Sequence, residues 1–371
     1  MAEPFKNELG EARIKVIALH LSKQDKNFNT KLFLSHATEN LSELSLMERN
    51  RQIVEALKLC LPSDFRQSQS IILKSLSPFD KQQDEFGLHS WLALPLAEYV
   101  GQLGHLDVKS AMVTLSKTTP FFSSEFAIRH LLTSHEIQSL DILHTWCDHK
   151  NEHVRRLVSE GSRPRLPWGM QLVNFKNNPK LTFPLLEKLK DDKSDYVRLS
   201  VSNHLNDISK DHPDWLIQQL KAWWQAEDII RCKLIRHACR GLIKQGHKAT
   251  LEMLGYEAFK IKEVKLELET ACLNYGDSLN FNLQIKGPAH KDVIVDYAIH
   301  FQKSNGELKP KVFKWKVGKL DKNGFLNIKK KHTIKPISIR RYYNGAHKIE
   351  IFVNGMAITE HDFQLQGVKK S

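Results

Sequence analysis

The stretch that decides the fold is NEHVRRLVSEGSRPRLPW, residues 151–168. Counting Val154 to Val197, a similar phrase returns 43 residues on, SDYVRLSVSNHLND, residues 194–207. In both, a capping residue (Asn151, Ser194) precedes an acid (Glu152, Asp195), a ring (His153, Tyr196) and then Val-Arg. A cap side chain satisfies an otherwise unpaired amide, and the acid suits the positive end of the helix dipole, so both phrases open helices. The inward positions agree: Val154, Leu157 and Val158 recur at helical spacing, as do Val197, Val201, Leu205 and Ile208. A third arginine-bearing helix, KLIRHACRGLIKQG, places Ile235 38 residues after Val197. A helical unit returning about every 40 residues predicts a stacked solenoid of HEAT-like repeats.

Working outward, residues 5–60 read as helices from the spacing of Ala12, Val16, Ala18, Leu19 and Leu21, and of Leu44, Met47, Ile53, Leu57 and Leu59. Pro62 and Pro78 break residues 61–110 into shorter pieces, and Phe86 to Leu103 reads as a buried helix. TTPFFSSEFAIRHLL predicts a helix starting near Ser123 or Ser124 with Glu125 in its first turn. Residues 136–148 form an amphipathic helix. Gly161 ends the helix of the opening stretch. Pro164 and Pro167, which cannot donate the backbone bond a helix needs, then hold two arginines and Trp168 in a stiff extended loop. Helices resume over 179–189, 197–208, 215–224 and 229–244, and 246–254 closes the helical half.

After Tyr256 the rhythm changes from 3.6 to 2. Apolar residues alternate over 264–268, 279–285, 293–301, 313–317 and 349–353. Asn-Gly pairs at 305–306, 323–324, 344–345 and 354–355 each suit a tight hairpin turn. About seven short strands predict an immunoglobulin-like β-sandwich. The expected organisation is a helical-repeat domain over 1–258 and a sandwich over 259–371.

The net charge of +13 is uneven: residues 262–371 hold 20 Lys and Arg against 11 Asp and Glu. A basic domain suggests a polyanionic partner, and lysines kept for solubility are the plain alternative. Lys314 and Lys316 alternate with Phe313, Trp315 and Val317, making one strand face basic, and Lys329, Lys330 and Lys331 add to it. Five scattered cysteines without a C-x-x-C pattern read as reduced thiols of a cytosolic protein. The start MAEPFKNELG lacks the apolar core of a signal peptide, and no run of about 18 apolar residues reads as a membrane span.

Aligning Val154 with Val197 sets Glu160 opposite Asn203, and Asp207 lies one turn further along the same face. In a solenoid such faces line one surface, so the two carboxylates can meet beside the arginines of the 163–168 loop. The bland reading pairs Glu160 with Arg156 one turn away. Glu125 has no place in this register. His149 and His153 are separated by a helix cap, and no H-E-x-x-H or Cys/His cluster occurs, so no metal is expected. Trp223 and Trp224 read as core, whereas Trp168 divides evenly between packing and ligand contact.

SSEFAIRHLL, EHVRRLVSEGSRPRLPW, YVRLSVSNHLNDISKDHPDW and RRYYNGAHKIEIFVNG together resemble the AlkC branch of the AlkC/AlkD superfamily, the bacterial alkylpurine DNA glycosylases with HEAT-like repeats. The resemblance implies excision of cationic alkylated bases, chiefly N3-methyladenine and N3-methylcytosine, from double-stranded DNA. It implies that the base is left unflipped, that no cofactor is needed, and that the sandwich assists the repeats in gripping the duplex. It places the catalytic carboxylates on Glu125, Glu160 and Asp207 and a lesion-contacting aromatic on Trp168. Arg155, Arg156, Arg163, Arg165, Arg198, Lys314 and Lys316 are then candidates for contacts to DNA. A monomer in the bacterial cytoplasm, on the nucleoid when bound, is expected. The competing reading is a non-enzymatic solenoid and sandwich that binds DNA structures or a protein partner.

Overall fold

The computed structural model describes residues 5–77, 87–225, 227–335 and 341–368. Pro78, Phe86 and Arg340, which entered the sequence reading, lie outside them, as do Met1–Pro4 of the N-terminal stretch. The described residues form helices as far as Met253 and strands from Glu263. Packing divides the chain into two compact units, Met1–Asp211 and His212–Ser371.

In the first unit, the helices Glu11–Gln24, Thr30–Ala37, Leu46–Cys60 and Phe65–Ser75 are followed by Leu94–Leu103 and Val108–Thr118. The helix expected over 86–103 is thus shorter, with a 3₁₀ turn at Ser90–Ala93 before Pro95 at the start of the α-helix. The two repeat phrases become Glu152–Gly161 and Asp195–Ile208, packed on one another. Asn151 caps the first, its side chain accepting from the His153 amide at 2.8 Å. Matching positions of the two phrases touch: the His153 and Tyr196 rings lie 5.7 Å apart, edge to face. Val154, Leu157 and Val158 face Val197, Val201 and Leu205 in a core where each is at most 1 % exposed.

One helix start differs from the sequence expectation. The helix after TTPFFSS begins at Ile128, and Glu125 lies in the turn before it. Ser124 cannot cap a helix there, because its hydroxyl is buried and committed backward, bonding the Leu115 carbonyl (3.2 Å) and the Thr118 hydroxyl (2.9 Å). The turn is also pressed against Gly101, where a Cβ would stand 2.3 Å from the Ala127 carbonyl oxygen.

The second unit joins four helices, Pro213–Trp223, Ile229–Ala238, Arg240–Lys244 and Lys248–Met253, to a β-sandwich. The helix expected over 229–244 is interrupted at Cys239. The strands are β1 (Glu263–Leu268), β2 (Cys272–Asn274), β3 (Ser278–Lys286), β4 (Asp292–Gln302), β5 (Leu308–Lys319), β6 (Phe325–Thr333), β7 (Gly345–Val353) and β8 (Met356–Gln366). They form sheets β1-β3-β6 and β2-β8-β7-β4-β5. Leu279, Phe281, Leu283 and Ile285 of one sheet meet Val293, Val295, Tyr297 and Ile299 of the other in the core. Asn323-Gly324 joins β5 of one sheet to β6 of the other, and Asn305-Gly306 and Asn354-Gly355 turn hairpins. The pair at 344–345 does not, since Gly345 is the first residue of β7. At 354–355 both residues take positive φ, 48° and 78°, as a tight primed turn requires. Lys314 and Lys316 are exposed on β5, the sheet edge, where charge discourages pairing with another chain. A bulge at Val295/Asp296 interrupts the register opposite them.

Candidate active site

Arg163 gathers the acids. Its Nη1 donates to Glu160 Oε1 at 2.7 Å and its Nε to Asp207 Oδ2 at 2.8 Å. The 43-residue repeat therefore does bring the two carboxylates to one place. Both are almost out of contact with solvent, Glu160 at 5 % and Asp207 at 1 % exposure. Their remaining oxygens are satisfied: Ser200 donates to Glu160 Oε2 (2.6 Å) and Lys210 to Asp207 Oδ1 (2.9 Å). Burial pulls the Arg163 guanidinium toward losing its proton, but Asp207 and Glu160 outweigh that and hold it above its ordinary value.

Glu125 joins through Arg156. Arg156 Nη1 meets Glu125 Oε2 at 2.5 Å, and its Nη2 lies 3.5 Å from Glu160 Oε1. The guanidinium also sits over the Tyr196 ring, 5.1 Å from its centre. The plain pairing of Glu160 with Arg156 and the convergence of the three acids are thus both present. Glu125 is the most open of the three, with its side chain 15 % exposed against 7 % and 2 % for Glu160 and Asp207.

The loop 162–172 is fixed from beneath by Arg129, a fully buried cation. Its guanidinium donates to the carbonyls of Gly161 (2.9 Å), Arg163 (2.8 Å) and Met170 (2.7 Å from Nε). Burial first, and the neighbouring Arg163 second, push the Arg129 pKa down to about 10, which leaves it charged at neutral pH. Sequence reasoning passed over Arg129. The signal was there: a charge between Ile128 and Leu131 on an apolar helix face has to find buried acceptors. Lys210 and Ser200 were also missed, and they sit one turn from Asp207 and opposite Glu160.

Trp168 emerges from this loop 68 % exposed, with φ at +64°. That left-handed conformation costs a bulky residue on the order of 1 kcal/mol, and such strain concentrates at functional sites. Its ring lies 6.2 Å from Phe5, which leads on to Trp91 (4.8 Å) and Phe122 (4.7 Å).

The remaining arginine candidates are engaged within the protein. Arg155 is 6 % exposed and forks onto Asp192 at 2.6 and 2.9 Å. Arg165 forks onto Asp211 at 2.8 and 2.7 Å. Arg198 bonds Asp195 and the Asp192 carbonyl. Among the described residues no group of three or more His, Cys, Asp or Glu is placed to hold a metal, and no helix is long and apolar enough to cross a membrane.

Residues 118–242 match the family model described as DNA alkylation repair enzyme, and residues 262–367 match the C-terminal Ig-like domain of YhaZ. The chain is 35 % identical to the uncharacterised protein YhaZ of Bacillus subtilis, over 97 % of its own length and 99 % of that protein. It is 36 % identical to the solved alkylpurine DNA glycosylase AlkC of Pseudomonas fluorescens, bound to DNA containing an abasic site analog. The TM-score is 0.86, and 98 % of this chain and 99 % of that one are covered. The chain belongs to the DNA alkylation repair enzyme family, on its AlkC branch. The helical repeats and the Ig-like domain are those of that branch.

Proposed function

We propose that this AlkC-branch protein is a DNA glycosylase that hydrolyses the N-glycosidic bond of cationic alkylated bases, N3-methyladenine and N3-methylcytosine, in duplex DNA without flipping them. The observation that carries the reading is the meeting of Glu125, Glu160 and Asp207, from three separate segments, around Arg156 and Arg163. The likeness to a glycosylase solved on abasic-site DNA supports the substrate class.

The chemistry fits carboxylates without a general acid. N3-methylation puts a positive charge on the base, so it departs neutral when the C1′–N bond breaks and its electron pair goes with it. The unstable species is the sugar cation left behind. Fixed negative charge beside C1′ stabilises it, and a carboxylate takes the proton of the water that adds there. Glu125, the most accessible acid, stands nearest to solvent for this step. Asp207 and Glu160 are held by Arg163, so their field is in place before DNA arrives. Lys210, with its side chain 52 % exposed, is free to swing from Asp207 to a phosphate and leave Oδ1 open. Trp168 extends toward the lesion. Of the arginines, Arg156 and Arg165 retain enough exposure to reach phosphates, while Arg155 acts through the loop that it ties down.

The test is chromatography of bases released from methylated duplex. Wild type is expected to release N3-methyladenine and N3-methylcytosine. Asp207→Asn and Glu160→Gln should lower release by roughly 100-fold or more, typical for loss of a transition-state electrostatic group, while duplex binding persists. Wild-type release by both folded variants would remove these acids from the chemistry. Binding without any release by the wild type would leave a DNA-structure reader.

A further inference from the structure

A groove of about 820 Å³ lies between the helices Phe65–Ser75 and Val108–Thr118, outside the acid cluster. Four cations, Arg66, Lys74, Lys109 and Lys117, line it against a single acid, Asp107. That acid is spoken for: Arg66 holds it at 2.6 and 2.9 Å, and it caps the second helix by accepting from the Ser110 amide at 3.1 Å. The Ser110 amide first and Arg66 second, with Lys109 nearby, hold its carboxyl below the usual carboxylate range. Lys74 and Lys117 have no hydrogen bond or ion pair among the described residues, and Lys109 has only the attraction of Asp107.

The second observation lies within the groove's own lining. Gln69 is 3 % exposed, and its Oε1 accepts a hydrogen bond from Ser110. Its Nε2 is buried and has no partner. An orphaned buried donor is costly, and it is tolerated where an acceptor comes to it from outside. A donor without an acceptor, ringed by unpaired lysines, calls for an anion.

We propose that this groove is a phosphate-binding track for the duplex backbone, with Lys74, Lys109 and Lys117 pairing to phosphates and Gln69 Nε2 donating to one of them. The inference rests on the glycosylase reading only for the identity of the polyanion.

The experiment measures binding of the full chain to an undamaged duplex as a function of salt. The variants are a groove triple, Lys74→Gln, Lys109→Gln and Lys117→Gln, and a control triple at the exposed Lys26, Lys31 and Lys58. Each lysine–phosphate contact adds about 0.9 to the slope of log K against log salt. The groove triple should lower the slope by about 2–3 and weaken binding at 0.15 M salt at least tenfold. The control triple should do neither, and both should melt like wild type. Gln69→Met should weaken binding severalfold without changing the slope. A wild-type slope in the groove triple, or an equal loss in the control, overturns the track. Absence of base release from wild type sinks the glycosylase reading instead and leaves the slopes to judge the groove.

Discussion

At the scale of single residues, Trp168 shows how structure and chemistry are traded. Its left-handed backbone is one that glycine adopts without cost, and most of its ring is in water. Trp168→Gly is expected to be more stable than Trp168→Ala by about 1 kcal/mol, since only glycine removes the strain. Both should release methylated bases more slowly than wild type. Thermal melts and base-release assays on the pair check this. Equal stabilities would deny the strain, and undiminished release would deny the ring a role. The meeting of Glu160 and Asp207 was legible in the chain because a 43-residue repeat fixes which side chains share a face, whereas Glu125, outside that register, came only from the family resemblance. The fate of the arginines was not. Arg155 and Arg165 find Asp192 and Asp211, carboxylates 37 and 46 positions away that no local pattern couples to them.

At the scale of elements, the seam between the two repeat helices holds a buried histidine. His204, wholly buried on the second helix, has its Nδ1 3.0 Å from the Ser159 carbonyl of the first and its Nε2 3.2 Å from the Thr182 hydroxyl. Burial pushes its pKa down to about 4, with Arg163 adding to that and Asp207, Glu160 and the Ser159 carbonyl opposing it. The folded imidazole is therefore neutral at pH values where the unfolded one, near 6.5, takes a proton. Stability present above about pH 6.5 is lost as pH falls toward about 4, by about 3 kcal/mol across that window. Denaturant titrations of wild type and His204→Asn at several pH values should converge in slope outside the window and diverge within it. Identical pH dependence would show that the folded and unfolded imidazoles bind protons alike. Other elements hid from the sequence for a physical reason. Strand β6, Phe325–Thr333, carries three consecutive lysines, Lys329 to Lys331, across both of its faces, and β8 is largely polar. Neither offers the apolar alternation that made β3 and β4 plain. The early start assigned to the Glu125 helix failed in the opposite way, since Ser124 has the composition of a cap but bonds the preceding helix.

At the scale of the molecule, composition and packing draw different lines. The apolar rhythm changes near 258, yet the four helices after Asp211 pack with the sandwich. The link is close: Asn354 of the β7–β8 turn donates to the Glu257 carbonyl at 2.9 Å and to the Asp292 carbonyl at 3.1 Å. A Cβ on Gly246 would stand 2.9 Å from the Cα of Gly355. The fragment 212–371 is therefore expected to melt in one cooperative transition. In a fragment ending at 258, helices between Pro213 and Met253 should exchange their amides rapidly, and duplex binding should fall with the loss of the basic sandwich. Hydrogen exchange that protects those helices without the sandwich would show that they belong to the repeats. The excess of nine positive charges over 262–371 also makes that loss greatest at low salt.

The three carbonyls gripped by Arg129 leave the loop above it no slack. Gly161, Arg163 and Met170 must all point their oxygens at one planar fork, so the count of residues between them is a gauge block and not a variable. One extra glycine spliced between Pro167 and Met170 should cost far more than an equal insertion at the Asn305–Gly306 hairpin. Assayed side by side, the first should lose soluble protein or base release, and the second neither. Equal tolerance at both places would mean that the fork follows the loop and does not set its length.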